Sequence, residues 1–378
     1  MKDRIRSASI TVAEITPKTR WIFVGLHTAS GLAGLGEATA QGREAAVVMA
    51  FRRFAPLLLD LAEASPLDRP SAPALTSLAE AAAWSAIDQA LGDIAAQRKD
   101  VRLGDWLGGI RHEAVQLYAN INRRTRDRSA ESFAASARLA AEAGYTAFKI
   151  APFDEADAEA RREGKLAEAV QPGLERARVV RDAIGPAARL MIDCHWRLDV
   201  GTAESVIDAA AEIGIHWVEC PLPERVETLG ALARLRACAN RRGVRLAGCE
   251  EMVRIEGFAP FLDAGAYDVI MPDAKYIGGL DEMMGLAEVA AKSGVEVSPH
   301  NPSGPVCHAA SVHLCAAMEA PGLLEVQFDE TPLFSALQDP ALPPLQAGAA
   351  RLPRRPGLGI GLDRSVLGTL RHETWTTP

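Results

Sequence analysis

Three carboxylate residues in the middle of the chain have a spacing that could bind a metal ion. Asp193, Glu219 and Glu250 each end a short apolar run, and the spacings of 26 residues (193 to 219) and 31 residues (219 to 250) fit one strand plus one helix. Consecutive βα units bring the carboxyl ends of their strands to one face of a parallel barrel, where such folds keep their chemistry. Three hard oxygen ligands suit octahedral Mg²⁺, and Mn²⁺ is the alternative.

Four more ionisable residues stand at the ends of other predicted strands: Lys149, Asp273, His300 and Glu325. A ring of converging charges must be desolvated unless its members are paired or bound to metal, so we interpret this ring as catalytic. Asp273 and His300 end neighbouring strands, and we expect the carboxylate to orient the imidazole as a general base. A purely structural Asp-His pair is the alternative.

Lys149 and Glu325 complete the predicted ring from strands two and eight. Beside a cation, a desolvated Lys149 should have a lowered pKa and act as a second base or as an electrostatic partner. Glu325 is expected to donate or accept a hydrogen bond at the reaction intermediate. Strand alternation places His195 on the side of Asp193, where it either reaches the substrate or bonds to a neighbouring backbone group.

Cysteines flank all three carboxylates, as Cys194, Cys220 and Cys249. A metal site with thiolate ligands is therefore an alternative. If the carboxylates point into the barrel, however, their immediate neighbours point outward to the helices. We therefore interpret these cysteines as small buried apolar residues.

Strands and helices alternate from residue 114 to 330, and this segment must position the ring. A glycine precedes each of the last seven apolar runs and follows a helical segment, where glycine favours a C-terminal cap. The alternation predicts a parallel sheet of eight strands that closes into a barrel. The predicted strands are 115–119, 147–150, 190–193, 217–219, 246–250, 269–271, 295–298 and 324–328.

Residues 1–113 do not show this alternation of strands and helices. Their pattern predicts a small α+β domain with strands at 9–12 and 21–24, a turn and third strand at 31–37, and a helix at 74–97. Residues 331–378 are rich in proline, and we expect an irregular segment that returns to the first domain.

The composition gives no sign of a nucleic-acid or membrane partner. The 378 residues include 41 Lys and Arg against 49 Asp and Glu, a net charge of −8, and the basic residues are spread out. No signal peptide and no apolar run of transmembrane length is visible, and the six cysteines form no CxxC pair. We expect a cytoplasmic protein with reduced thiols and a small hydroxy acid as its partner, assembled as a homo-oligomer.

Five stretches around the ring resemble a known family. They are Met-Ile-Asp at 191–193, Trp-Val-Glu-Cys-Pro at 217–221, Ala-Gly-Cys-Glu-Glu at 247–251, Ile-Met-Pro-Asp at 270–273 with Gly-Gly at 278–279, and Ser-Pro-His-Asn-Pro-Ser-Gly-Pro at 298–305. They resemble the enolase superfamily, and within it the mandelate racemase and acid-sugar dehydratase subgroup, over nearly the whole chain. The resemblance implies an α/β fold: a (β/α)7β modified TIM barrel with an α+β N-terminal capping domain that the C-terminal segment completes. It also implies Mg²⁺ on the three carboxylates.

Two departures narrow the implied reaction. Racemases of the group carry Lys-x-Lys on strand two, whereas this chain has Lys149-Ile150-Ala151. The muconate-lactonising branch has lysine in the place of Asp273. Asp193-Cys194-His195 instead resembles the galactonate-type dehydratases, in which the strand-three histidine assists departure of the hydroxyl group.

The resemblance therefore predicts a Mg²⁺-dependent hydro-lyase. His300 would remove the proton α to the carboxylate of a polyhydroxy acid, and the enediolate charge would face the cation and Lys149. His195, or His300 after protonation, would then deliver a proton to the departing β-hydroxyl, and the enol that forms would become a 2-keto acid. A racemase, an epimerase or a lactone cycloisomerase is the nearest alternative, while a Schiff-base aldolase with Lys149 as nucleophile and a non-catalytic relative are more remote.

The predicted substrate-binding residues are Asn120, Asn122 and Arg123, which follow strand one and suit hydroxyl groups or a distal carboxylate. By resemblance, the cap segment 16–31 also selects the substrate. We interpret the arginines at 123, 124, 126 and 128 as a solvated loop, as charge runs usually are. A diacid substrate is the alternative.

Overall fold

Eight parallel strands form a barrel in the computed structural model, which describes residues 4–60 and 73–376. Each strand pairs with the next from strand one to strand seven, and strand eight lies beside strand one. Barrel strands one to eight span Ala114–Asn120, Ala147–Ile150, Arg189–Asp193, Trp217–Glu219, Arg245–Gly248, Val269–Ile270, Glu296–Val297 and Leu324–Gln327. The described residues leave out 1–3 and 61–72 of the predicted first domain and 377–378 of the predicted C-terminal segment.

A main helix follows each of strands one to seven, which confirms the predicted (β/α)7β arrangement. These helices span Ala130–Glu142, Gln171–Ile184, Val200–Ile213, Leu229–Arg241, Arg254–Asp263, Leu280–Lys292 and Pro305–Ala317. Shorter helices lie at Leu103–Trp106, Ala158–Arg162, Leu166–Ala169 and Leu333–Ala336. Apolar side chains bury the helices against the outside of the barrel, as the amphipathic pattern predicts.

Strands seven and eight are joined by hydrogen bonds outside a regular ladder. Gly322 N donates to Val297 O at 2.8 Å, and Glu325 N donates to Pro299 O at 3.2 Å. The barrel therefore has its weakest backbone pairing at this seam, next to the predicted base.

Four strands end earlier than predicted, strand eight by one residue. Strands five, six and seven end at residues 248, 270 and 297, so Glu250 lies two residues, and Asp273 and His300 three residues, beyond their strands. Regular strand pairing stops at these points, so loops and not the strands position the three side chains.

A four-stranded antiparallel sheet forms the cap. Its strand order is Gly368–Thr376, Ile5–Thr16, Thr19–Thr28 and Ala33–Glu37. The C-terminal strand pairs with the first strand of the chain, with Ser7 opposite Thr376. Two helices, Glu44–Asp60 and Leu78–Arg98, pack on this sheet and share a separate hydrophobic core with it.

The helix after strand seven, Pro305–Ala317, is buried along its whole length between the barrel and the cap. A helix that is apolar on all sides is expected in such a position. None of the helices within the described residues is long and apolar enough to cross a membrane.

His313 on this helix is held as a neutral imidazole. Its Nδ1 accepts from Gly104 N at 3.2 Å, and its Nε2 donates to Leu358 O at 3.3 Å. Burial lowers the pKa of His313 to about 4, against about 6.5 for an unfolded histidine. Between these values the unfolded chain binds the extra proton, so the contribution of His313 to stability is complete above about pH 6.5 and is lost as the pH falls towards 4.

Candidate active site

Strands three, four and five bring the three predicted metal ligands together. One oxygen each of Asp193, Glu219 and Glu250 lies within 4.8 Å of the others. All three side chains are buried. The cluster sits at the carboxyl ends of the strands, inside the mouth of the barrel.

Non-glycine residues in the left-handed region turn the backbone directly after Glu219 and directly before Glu250. Cys220 has φ 46° and Cys249 has φ 72°, a conformation that costs free energy and is held by its surroundings. Glu224 supplies one such restraint, because its Oε1 accepts from Cys249 N at 2.6 Å. A Cβ on Gly248 would lie 2.4 Å from the same oxygen, so the end of strand five needs glycine there.

The carboxylate cluster fits a divalent cation. Oε2 of Glu250 is buried and has no hydrogen-bond partner among the described residues, and a buried orphaned carboxylate oxygen is costly. Burial and the neighbouring negative charges of Asp193 raise the pKa values of Glu219 and Glu250. A cation held by the three oxygens would remove both penalties.

Lys149 projects into the same cluster from strand two. Its Nζ lies 2.7 Å from Glu219 Oε1 and 3.4 Å from Glu325 Oε1. Burial alone would lower the pKa of Lys149, but the charges of the two glutamates outweigh it and raise the pKa well above its usual value. Lys149 is therefore a positive charge paired with the two glutamates, and a lowered pKa beside a bound cation stays a prediction.

Asp273 and His300 form the predicted hydrogen-bonded pair. His300 Nδ1 donates to Asp273 Oδ2 at 2.8 Å. The other ring nitrogen, Nε2, faces the carboxylates, 3.5 Å from Glu250 Oε2 and 3.9 Å from Glu325 Oε2. The imidazole thus presents its basic nitrogen to the space beside the cation ligands.

Glu325 is held by residues from strand one and from the loop after strand seven. Asn120 Nδ2 donates to its Oε1 at 2.5 Å, and Asn301 N donates to its Oε2 at 3.1 Å. Burial raises the pKa of Glu325, but the charge of Lys149 and these hydrogen bonds lower it. Glu325 is therefore an ionised acceptor.

Two of the predicted substrate-binding residues are engaged with the protein. Asn120 orients Glu325, and its Oδ1 accepts from Asn122 Nδ2 at 2.7 Å. Asn122 Oδ1 in turn accepts from Ala151 N at 2.6 Å. These two amides support the ring from behind strand one.

Arg123, the third, lies at the rim between strands one and eight. Its Nη1 donates to Glu330 Oε2 at 3.1 Å, and the other oxygen of Glu330 accepts from the hydroxyl of Thr19 in the cap hairpin. Glu330 therefore ties the cap turn to the barrel loop and neutralises Arg123.

His195 lies beside the cation ligand Asp193. Its backbone N and its Nε2 bond to the two oxygens of Asp193, at 2.8 and 2.9 Å. The negative charge of Asp193 raises the pKa of His195. The ring is 45% exposed, so it faces the open mouth of the site.

Sequence reasoning missed two polar side chains of the site. Trp217 Nε1 donates to Glu219 Oε2 at 3.2 Å, from below the cation ligands. Lys275 Nζ donates to Asp273 Oδ2 at 2.6 Å. A lysine two residues after Asp273 was the signal for Lys275, since a cation so near in sequence is a candidate partner for the carboxylate.

A barrel with three clustered carboxylates, an Asp-His pair and a buried lysine at its mouth is typical of enzymes that act next to a substrate carboxylate by means of a divalent cation. Family models agree with this class. Residues 132–366 match the enolase C-terminal domain-like family, and residues 2–108 match the N-terminal domain of mandelate racemase and muconate lactonizing enzyme. The chain belongs to the mandelate racemase and muconate lactonizing enzyme family of the enolase superfamily.

Individual relatives cover most of the chain. A D-gluconate dehydratase from Thermoproteus tenax is 31% identical, over 97% of this chain and 76% of the relative. A D-galactarolactone cycloisomerase from Agrobacterium fabrum is 34% identical, over 76% of this chain and 74% of the relative. Among solved structures, an enolase protein from Sargasso Sea environmental sequencing is 29% identical, with a TM-score of 0.81 and full coverage of both chains.

Proposed function

We propose that this protein is a Mg²⁺-dependent dehydratase of monocarboxylic sugar acids, forming 2-keto acids. The observation that carries the proposal is the position of His300 Nε2, which faces the carboxylate cluster while Nδ1 is bonded to Asp273. The similarity to a D-gluconate dehydratase supports the same reaction class.

In this proposal His300 is the general base. A neutral imidazole whose Nδ1–H is held by Asp273 has its lone pair on Nε2, and the carboxylate stabilises the imidazolium that forms. The proton removed is the one α to the substrate carboxylate, and the product of that step is an enediolate.

Negative charge then develops on the substrate carboxylate oxygens. A divalent cation held by Asp193, Glu219 and Glu250 would supply positive charge there and bind the carboxylate. Lys149 adds a second fixed positive charge, already desolvated and in place, so little reorganisation is needed as the charge appears.

His195 is the proposed acid for the departing β-hydroxyl. It is bonded to Asp193 and partly exposed at the mouth of the site, where a bound acid can reach it. The enol that forms rearranges to the 2-keto acid.

The state of Lys149 disfavours two alternatives. A racemase needs a second base, and a Schiff-base aldolase needs an amine free to attack, but Lys149 Nζ is paired with Glu219 and Glu325 at 2.7 and 3.4 Å. Ala151 stands where a second lysine would serve. Lactone cycloisomerisation needs a single base, and the similarity to a galactarolactone cycloisomerase keeps it as the second candidate.

Pairing of the rim arginines supports a monoacid substrate. Three of the four arginines between 123 and 128 form ion pairs with acidic residues, which corrects the interpretation of this run as a solvated loop. The pairs are Arg123–Glu330, Arg124–Asp329 and Arg128–Asp154, with N···O distances of 3.1, 3.1 and 2.7 Å. A distal carboxylate would have to compete with these acids for its partner.

A screen of acids tests the proposal. The protein with Mg²⁺ is incubated with aldonic acids, aldaric acids and aldarolactones, 2-keto acids are detected with semicarbazide, and α-proton exchange in D₂O is followed by NMR. We expect 2-keto acid from one or more aldonic acids and loss of turnover with EDTA. Isomerised lactone without 2-keto acid would favour the cycloisomerase, and turnover of aldaric acids alone would refute the monoacid assignment.

A further inference from the structure

Lys275 is a fully buried cation behind the general base and has no part in the proton transfers proposed above. It lies in the loop after strand six, and its side chain is 1% exposed. Its Nζ donates to Asp273 Oδ2 and to Ser303 Oγ, both at 2.6 Å. Burying a lysine is costly unless its charge is paired, and Asp273 supplies that charge.

Lys275 and His300 share one oxygen of Asp273. Oδ2 accepts from both Lys275 Nζ and His300 Nδ1, at 2.6 and 2.8 Å, while Oδ1 accepts from the backbone N of Lys275 at 2.8 Å. Rotation of the carboxylate would break all three hydrogen bonds. The carboxylate therefore has one orientation, and the imidazole bonded to it has one as well.

We propose that Lys275 is a positioning residue, which fixes His300 in the orientation for proton abstraction by holding Asp273. The inference rests on the proposed function in which His300 is the base. Stability alone is a weak reason for a lysine here, because replacing a buried ion pair by apolar residues is often neutral or stabilising. A misplacement of about 1 Å at a reacting group, in contrast, can cost about 100-fold in rate.

The second partner of Lys275 is anchored by the cap. Gly304 N and Cys307 N, just after Ser303, donate to the two oxygens of the cap residue Glu37 at 2.7 and 2.9 Å. Glu37 is fully buried. Seating of the cap thereby fixes the loop that holds Ser303, and through Ser303 and Lys275 it supports the orientation of the base.

Lys275→Met tests the proposal, because methionine keeps most of the volume and removes the charge and the donor. With the acid that the wild type turns over best, kcat should fall about 10- to 100-fold, with KM and Mn²⁺ affinity within about threefold of wild type. Lys292→Met, at an exposed lysine on the helix after strand six, is the matched control and should keep wild-type kcat. A kcat of Lys275→Met within twofold of wild type would overturn the proposal.

A double-mutant cycle with Asp273→Asn separates positioning from a general structural role. If Lys275 acts through Asp273, kcat of the double variant should be within about twofold of kcat of Asp273→Asn alone. If the two residues act independently, the two losses of kcat would multiply. Multiplying effects would refute the proposal. Should Lys275→Met fail to fold, Ser303→Ala replaces it, with an expected three- to tenfold loss of kcat, on the order of one lost hydrogen bond; no loss would refute the proposal.

A crystal structure of Lys275→Met gives a readout that needs no substrate. We expect the Asp273–His300 hydrogen bond to be lost or present in only part of the molecules. An unchanged pair would overturn the role of Lys275 even if the acid screen succeeds. Failure of the screen, in turn, would count against the proposed function and leave this structural comparison to decide the positioning role.

Discussion

Replacing His300 by asparagine tests the general base directly. The asparagine amide can donate to Asp273 Oδ2 in place of Nδ1, which donates at 2.8 Å, but it has no basic nitrogen. A general base is typically worth about 10²- to 10⁴-fold in rate, so the barrier should rise by about 3 to 5 kcal/mol. We expect kcat for 2-keto acid formation, followed with semicarbazide, to fall by that factor.

The cation site should survive this change. His300 Nε2 is 3.5 Å from Glu250 Oε2 and is not one of the three clustered ligands, so Mn²⁺ affinity measured by electron paramagnetic resonance should change by less than about threefold. His216→Asn, before strand four at the opposite end of the barrel, is the matched control. Turnover of His300→Asn within tenfold of wild type would refute the assignment of His300 as the base.

Three further changes test the cation site, the rim and the pH dependence. Glu219→Gln should weaken Mn²⁺ binding at least about tenfold in a calorimetric titration, because one of three anionic ligands is lost; an unchanged affinity would place the cation elsewhere. Glu330→Gln should free Arg123 to bind a distal carboxylate. The ratio of kcat/KM for aldaric acids to kcat/KM for aldonic acids should then rise about tenfold or more, because one charged hydrogen bond is worth about that factor. An unchanged ratio would contradict the neutralising role of Glu330. His313→Gln keeps a donor and an acceptor but cannot titrate. Between pH 7 and 4 the wild type should therefore lose up to about 3 kcal/mol of unfolding free energy relative to this variant. If urea unfolding gives the same difference in free energy between wild type and variant at both pH values, the neutral state of His313 is contradicted.

Local sequence rules were sufficient for the order of strands and main helices in the barrel and for the residue types of the ring, but they missed the cap helix Glu44–Asp60 and the C-terminal strand Gly368–Thr376. The period of the apolar runs and the glycines between them follow from backbone preferences, which act within a few residues. The seven ionisable residues of the ring could be predicted from their positions near strand ends. Each βα unit of about 30 residues places the end of its strand at the same face of the barrel.

Contacts between distant segments required the tertiary structure. Arg123 and Glu330 are far apart in sequence, and nothing local to either predicts that the acid neutralises the arginine. The pKa of Lys149 depends on how near Glu219 and Glu325 lie, so its direction could not be read from burial alone.

The sequence by itself determined which residue types reach the mouth of the barrel: three carboxylates for a cation, a histidine with its aspartate, and one lysine where racemases have two. Only the tertiary structure decided how they are aimed, because strands five, six and seven end before Glu250, Asp273 and His300 and loops place those side chains. It also brought Ser303 from the next loop against Lys275, the partner of Asp273. Such contacts depend on packing between loops, which no pattern within one segment encodes.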